Sequence, residues 1–318
     1  MLYDTEVRAF QFRGDMCTGL LVRRDALEFI IEPGAVVVAS GGFEANRSWL
    51  ARYWGQSAER FSIRGCAFND GRVVQELIDA GAQPAGAPGL FHATAVDDRS
   101  PDYDGGIVTR VDSIPLGIVV DRDGLRFYDE GQDLWPKRYA IWGRLIAERP
   151  GQVAYSIFDQ RAIGQFIPPL YPPVVADTVA DLACALGLEP RVLEQTVATY
   201  NASVAPDAAV GYDRSRLDGC STHGLSPEKS NWALPLDTPP FRAYPLRPGI
   251  TFTYYGLGID ADARVVRADG GAFGNIFAAG EAVAGNILRR GYPAGVGMTI
   301  GTVCGKIAGE EAARHVKS

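Results

Sequence analysis

The chain has 318 residues, 47% of them apolar, a formal net charge of −7 and a pI of about 5.1, enough to bury a full core in two domains. That acidic balance excludes the electrostatic footprint of a nucleic-acid or acidic-membrane binder. Scattered Cys17, Cys66, Cys184, Cys220 and Cys304, without C-x-x-C spacing and with only three histidines, argue against a metal or iron–sulfur cluster and for free thiols in a reducing compartment.

In chain order, MLYDTEVRAF lacks a signal pattern, and no apolar run is long enough for a bilayer, so a soluble cytoplasmic protein is expected. Val7–Phe12, Thr18–Val22 and Leu27–Ile31 read as strands of an antiparallel meander, turned at Gly14-Asp15 and Arg24-Asp25. Ala35–Ala39 is an unbroken apolar run, as in a strand covered on both faces, and it ends in Ser40-Gly41-Gly42-Phe43. Asn69-Asp70-Gly71 caps an amphipathic helix that stops at Gly81. Leu90–Ala93 is apolar around His92. Gly117–Val120 and Leu125–Tyr128 flank an Asp-Gly turn and predict a hairpin. Helices are expected over Asp133–Ile146, Asp177–Leu186 and Pro190–Val204, the last two ended by Gly187 and Pro206. Ala205–Pro248, rich in Pro, Gly, Asp and Ser, reads as an ordered surface passage. Strands resume at Ile250–Tyr255 and at the hairpin Gly258–Val266, and a last helix runs through Ala313. The layout is a discontinuous α/β domain built from both ends of the chain, interrupted by a middle domain.

The stretch from Phe273 to Gly301 is the most informative. A short apolar strand, Ile276–Ala279, closes on Gly280-Glu281; Arg289, Arg290 and Gly291, Gly295 and Gly297 follow, and helical spacing then begins. Glycines let a ligand approach the backbone, a carboxylate can hold sugar hydroxyls, and a helix start favours anions. An ordinary strand–turn–helix connection with spare glycine would read the same way.

The order and spacing of VVVASGGFEAN (36–46), FNDGRVVQELIDAGAQP (68–84), LGIVVDRDGLRFYDE (116–130) and NIFAAGEAVAGN (275–286) resemble the FAD-dependent flavoproteins of the fumarate reductase and succinate dehydrogenase family. Within it, GGFEANRSWLARYWG and LWPKRYAIWGRLIAE look most like the tricarballylate dehydrogenases, which oxidise a saturated tricarboxylate to cis-aconitate. The resemblance implies a Rossmann-like FAD-binding domain over 1–47 and 241–318, with an inserted α+β capping domain over 48–240. No G-x-G-x-x-G turn precedes Val36, so the expectation is an N-terminally incomplete FAD-binding domain, the carboxyl-terminal majority of such an enzyme.

By that resemblance, FAD is the cofactor, a di- or tricarboxylate is the substrate, and a membrane-bound redox partner accepts the electrons. Hydride would go to flavin N5 and a proton to an arginine. Arg138 aligns with the proton-handling arginine, with Lys137 and Arg144 as alternatives and Glu130 or Asp133 as its relay partner. His92 and Thr109 match groups that bind a substrate carboxylate; Arg110 could supply the charge instead. Arg290 or Arg289 matches a carboxylate clamp, for which bidentate guanidinium geometry is suited. Tyr254 or Tyr255 would line the pocket, in a region where fumarate reductases carry a histidine and this chain has none. Glu281 after Gly280 would hold ribitol hydroxyls, and the helix start from Gly295 through Gly297 to Thr299 would face flavin N1 and O2. Gly41 and Gly42 would pass close to the cofactor. Two alternatives stay open: a catalytically inactive fragment or ligand-binding module of the same family, and a relative acting on steroids or acyl chains.

Overall fold

The computed structural model describes residues 1–103, 107–205, 212–213 and 215–317. The chain opens on β1 (Thr5–Arg13), β2 (Met16–Arg24) and β3 (Leu27–Ile31), an antiparallel meander turned at Gly14 (φ +64°) and Asp25 (φ +54°), as its sequence predicts. Next come β4 (Val36–Val38), α1 (Arg47–Trp54), β5 (Ser62–Ile63), α2 (Arg72–Asp79) and β6 (Pro84–Asp97). The middle of the chain adds β7 (Ile118–Asp121), α3 (Trp135–Arg138), α4 (Trp142–Ala147), β8 (Ala154–Phe158), β9 (Val174–Ala176), α5 (Val179–Leu186) and α6 (Pro190–Ser203). It closes with β10 (Phe241–Leu257), β11 (Arg264–Val266), β12 (Ala272–Ala278) and α7 (Val296–Lys317). No helix among the described residues is long and apolar enough to cross a membrane.

Two compact units result, one from 1–53, 67–91 and 252–318, the other from 54–66 and 92–251. The expected middle domain ran unbroken from 48 to 240. Residues 67–91 join the first unit because α2 buries Val74 and Leu77 in its core. Residues 241–251 join the second because Arg242–Leu246 pair with β8.

In the first unit, β12 pairs in parallel with β4 and antiparallel with β11. Helix α7 lays Ile300, Cys304 and Ala308 on that sheet, in one core with Val38, Ile276, Phe277 and Leu257. The sheet is bound to the meander through Asn275. Its buried amide accepts from Cys17 N (2.8 Å) and donates to Cys17 O (2.9 Å) and Gly34 O (3.3 Å). One correction concerns β4: Val38 is buried, but Val37, on the opposite face, is 42% exposed, so the strand is covered on one face only. The cap of α2 differs as well. Gly71 takes the left-handed conformation (φ +76°) and Asp70 Oδ1 accepts from Arg72 N (3.1 Å), while Asn69 is used elsewhere.

The second unit is built on the sheet order β5-β10-β8-β7, with β9 also on β10. Helices α5 and α6 cover it through Leu182, Leu193, Val197 and Tyr200, packed on Ile118, Val120 and Ile157. Thr178 caps α5 by accepting from Asp181 N, and Gly187 (φ +71°) ends it. Residue 206, read as the stop of α6, lies outside the described residues. The Asp-Gly turn at 121–124 forms, but its second strand shrinks to the single bridge Val120–Arg126. Strand β10 starts well before the expected Ile250, because Pro245 supplies its carbonyl to Asp98 N (2.9 Å) and loses only a donor.

Because Asn275 satisfies both backbone groups of buried Cys17, Asn275→Ala should cost about 2–6 kcal/mol, roughly 1–3 for each group left unpaired. Urea unfolding followed by circular dichroism measures this, and a loss below about 0.5 kcal/mol would refute the tie.

Candidate functional site

Parallel pairing of Ile276, Phe277 and Ala278 with Val36, Val37 and Val38 puts the segments that follow both strands at the same end of the sheet. Gly41-Gly42 and Gly280-Glu281 therefore come together. Gly41 (φ +76°) and Gly280 (φ +70°) use the left-handed conformation that favours glycine. Glu281 Oε1 accepts from Thr253 N (2.6 Å) and Thr253 Oγ1 (2.8 Å). A Cβ on Gly42 would overlap both Thr253 Oγ1 and Glu281 Oε1, so protein neighbours alone require glycine there. Beside Glu281 lies Glu44, 1% exposed, whose Oε1 accepts from Asn69 Nδ2 (2.5 Å). Burial raises both carboxyls above the usual carboxylate range, Glu281 well above it, with the adjacent Glu44 as its next cause.

Gly295 (φ +90°) opens α7, and no atom would meet a Cβ built on it or on Gly280 within 4 Å. The N–H groups of Gly297 and Thr299, expected to face a flavin, are spent on Tyr292 Oη (3.1 Å) and Gly295 O (3.1 Å). Arg289 and Arg290 are both exposed. The loop carrying them is anchored by Tyr254, whose hydroxyl donates to Gly291 O (2.8 Å). Tyr254 itself is buried in the core. This corrects the expectation that it lines a pocket: alternation along β10 turns its ring inward.

In the second unit, β6 carries His92, 3% exposed, edge-on to the Tyr139 ring with centroids 5.5 Å apart. Burial pushes its pKa down to about 3, with Arg64 and Arg110 adding to the shift. Thr109 is buried at the end of a one-turn helix (Ile107–Thr109), and the bridge Val96–Arg110 lays the next residues along β6. Arg110 grips Asp112 with two nitrogens (2.8 and 2.7 Å) and covers Tyr139 at 4.9 Å. Arg64 was missed from the sequence. It follows the two-residue strand β5, donates from N to Ile250 O (2.7 Å) and from Nη1 to Thr251 Oγ1 (2.7 Å). Only a non-local pairing brings it toward His92.

Arg138 ends α3 and its Nη2 donates to Tyr128 Oη (2.8 Å) and to Gln132 Oε1, while its Nε is buried with no hydrogen-bond partner. The expected relay partners are engaged elsewhere. Glu130 accepts from Val119 N (2.8 Å) and from Arg126 Nε (3.0 Å) and Nη2 (2.5 Å). Asp133 (φ +56°) accepts from Leu134 N (2.7 Å) and pairs with Lys137 (3.5 Å). Nearby Lys229 is fully buried, and its Nζ donates to Pro115 O and Gly117 O (2.9 and 2.7 Å), a scaffolding role.

Comparison with known proteins adds the following. Residues 2–295 match the FAD binding domain family. The chain is 30% identical over 307 residues to the NADH:acrylate oxidoreductase of Vibrio harveyi, covering 92% of the chain and 28% of that protein. It is 26% identical over 333 residues to the NADH:fumarate oxidoreductase of Klebsiella pneumoniae, covering 100% and 32%. The chain thus spans about a third of these relatives' length. The open form of a flavocytochrome c3 fumarate reductase shares the fold, with a TM-score of 0.74 at 23% identity over 99% of this chain and 52% of that one. The fold is therefore a discontinuous, Rossmann-like FAD-binding α/β architecture with an inserted, sheet-based capping domain. The residues present fit the polyhydroxyl part of FAD: Glu281 offers a carboxyl already fixed by Thr253, and Gly280 and Gly295 leave open space.

His92 is neutral in the fold far below the ordinary histidine pKa of about 6.5. The unfolded chain therefore binds the extra proton first, so the stability His92 contributes is full above about pH 6.5 and declines as pH falls toward 3. Its imidazole C–H resonances should keep neutral-ring shifts from pH 8 to pH 4.5. A titration midpoint between pH 6 and 7 would contradict the placement.

Proposed function

The chain belongs to the FAD binding domain family, and from that premise we propose that it holds flavin and substrate in an oxidoreductase acting on a CH–CH bond of a polycarboxylic acid. Tricarballylate to cis-aconitate is the reaction we assign. Two relatives carry acrylate and fumarate in their names, both unsaturated carboxylic acids, which supports an acid as substrate. The observation that carries this reading is His92: a buried imidazole kept neutral beside two arginines donates a hydrogen bond to an anion without adding a charge of its own.

FAD, when bound, supplies the two-electron acceptor for the hydride leaving the substrate. The rest falls to side chains of this chain. Glu281 accepts hydrogen bonds from cofactor hydroxyls, on a carboxyl already fixed by Thr253. Exposed Arg290, with Arg289 beside it, clamps one substrate carboxylate through a planar fork of donors. His92, with Thr109, binds another carboxylate. Arg138 takes the proton from the neighbouring carbon. A guanidinium is a poor base in water, with a pKa above ~12; Arg138 offers a buried Nε without a hydrogen-bond partner. Tyr128, which accepts from Arg138 Nη2, relays the proton in place of Glu130 or Asp133, taking one at its oxygen as its own hydroxyl proton passes on to solvent. A membrane-bound redox partner then takes the electrons.

The test begins with FAD added to the purified chain, followed by gel filtration and an absorption spectrum. A retained flavin band is expected, and its absence would refute the holoenzyme reading in favour of an inactive fragment. With flavin bound, Arg138→Ala should reduce tricarballylate oxidation, assayed with an artificial electron acceptor, by at least about 100-fold at unchanged flavin content. Residual turnover within about tenfold of the parent would remove Arg138 from the proton-transfer step.

A further inference from the structure

Glu44 has no role in the scheme above, yet it is among the most constrained side chains of the first unit. It lies two residues past Gly42, at 1% exposure, with Oε1 accepting from Asn69 Nδ2 (2.5 Å). Its Oε2 is fully enclosed and meets no donor. The side chain of Glu44 interacts with the neighbouring carboxyl of Glu281. Glu281 is fixed from the other side by the N–H and O–H of Thr253. Gly42 opens the gap in which the two acids meet, since a side chain there would overlap Glu281 and Thr253.

Two carboxyl groups in contact, one with an enclosed oxygen, cannot both carry charge at ordinary cost. One proton between them turns the repulsion into a hydrogen bond and satisfies the orphan oxygen. Resting on the reading that Glu281 holds cofactor hydroxyls, we infer that Glu44 is the positioning residue for Glu281, the two sharing one proton so that a singly charged, immobile carboxyl pair is presented to FAD.

Four segments enclose the pair: the one after β4 with Glu44, the one before α2 with Asn69, β10 with Thr253, and the one after β12 with Glu281. Next to Asn69, Asp70 and Arg72 pair with each other (3.6 Å). The raised affinity of both acids for protons means that the folded state holds a proton the unfolded chain releases in the ordinary carboxylate range. The stability the pair contributes is therefore full below about pH 4.5 and is lost as pH rises through the pair's own titration. FAD affinity falls over the same interval as the pair splits.

The experiment measures FAD affinity by flavin fluorescence, and thermal unfolding of the cofactor-free chain, each at pH 6 and pH 8.5. The parent should bind FAD about tenfold more weakly at pH 8.5, the equivalent of about one pKa unit of linkage. Glu44→Gln, which keeps the shape and removes the charge, should hold its pH 6 affinity within about twofold at both pH values. Glu44→Asp, too short to reach Glu281, should bind weakly at both. A Glu44→Gln protein that follows the parental pH profile, or a Glu44→Asp protein that binds like the parent, would overturn the inference. Should no variant bind FAD, the functional reading itself fails, and unfolding of the cofactor-free chain still decides the inference. A midpoint that falls with pH in the parent but not in Glu44→Gln supports the shared proton, and equal falls in both overturn it.

Discussion

Everything in the first unit that bears on function depends on one carboxylate held by two donors of one residue. Thr253 gives Glu281 both its N–H and its O–H, which fixes the side chain in position and rotation before any ligand arrives. The hold makes demands outward. It requires glycine at 42, because no Cβ fits between the partners. It requires that β4 and β12 run in parallel, so that the loops after them meet. It also brings the Glu44 and Glu281 carboxyls together at a local cost in charge. Pre-fixed acceptors of this kind lose little conformational freedom on binding.

In the function we propose, the second unit recognises an anion through groups that must not compete with one another for protons. A histidine kept neutral by burial and by neighbouring guanidiniums donates reliably at every physiological pH. Arg110 is locked by Asp112 and stacked on Tyr139, and Arg64 is oriented by Thr251. Each cation is thereby aimed by a second residue, which preserves direction as well as charge.

What was legible in the sequence was local. The meander follows from Gly14-Asp15 between short apolar runs, and the Gly280-Glu281 corner from an apolar strand closing on glycine. What stayed hidden was competition and non-local pairing. Glu130 reads as a partner for Arg138, but Arg126, four residues earlier in the chain, takes it together with Val119 N. Tyr254 and Tyr255 look equivalent in sequence, yet strand alternation buries Tyr254, with its hydroxyl on Gly291. Pro245 and Pro248 signalled a loop where β10 had already begun, since a proline is tolerated wherever the strand can spare its N–H. Arg64 gave no signal, because it reaches its place only when Ser62 and Ile63 pair with Gly249 and Ile250.

The side chain of Asn275 joins strands 258 positions apart along the chain, and this orders events during synthesis. The second unit is contiguous from 92 to 251 apart from its 54–66 segment, so most of it leaves the ribosome able to fold at once. The first unit cannot close until β12 emerges, long after β1–β3. Its amino-terminal meander must wait with an apolar face uncovered for as long as some 250 residues take to synthesise, a delay of tens of seconds at about 5–20 residues per second. High separation of this kind also slows closure itself, because loop entropy is lost before the contact is gained. The meander is therefore the part of the nascent chain that most needs shielding by a chaperone.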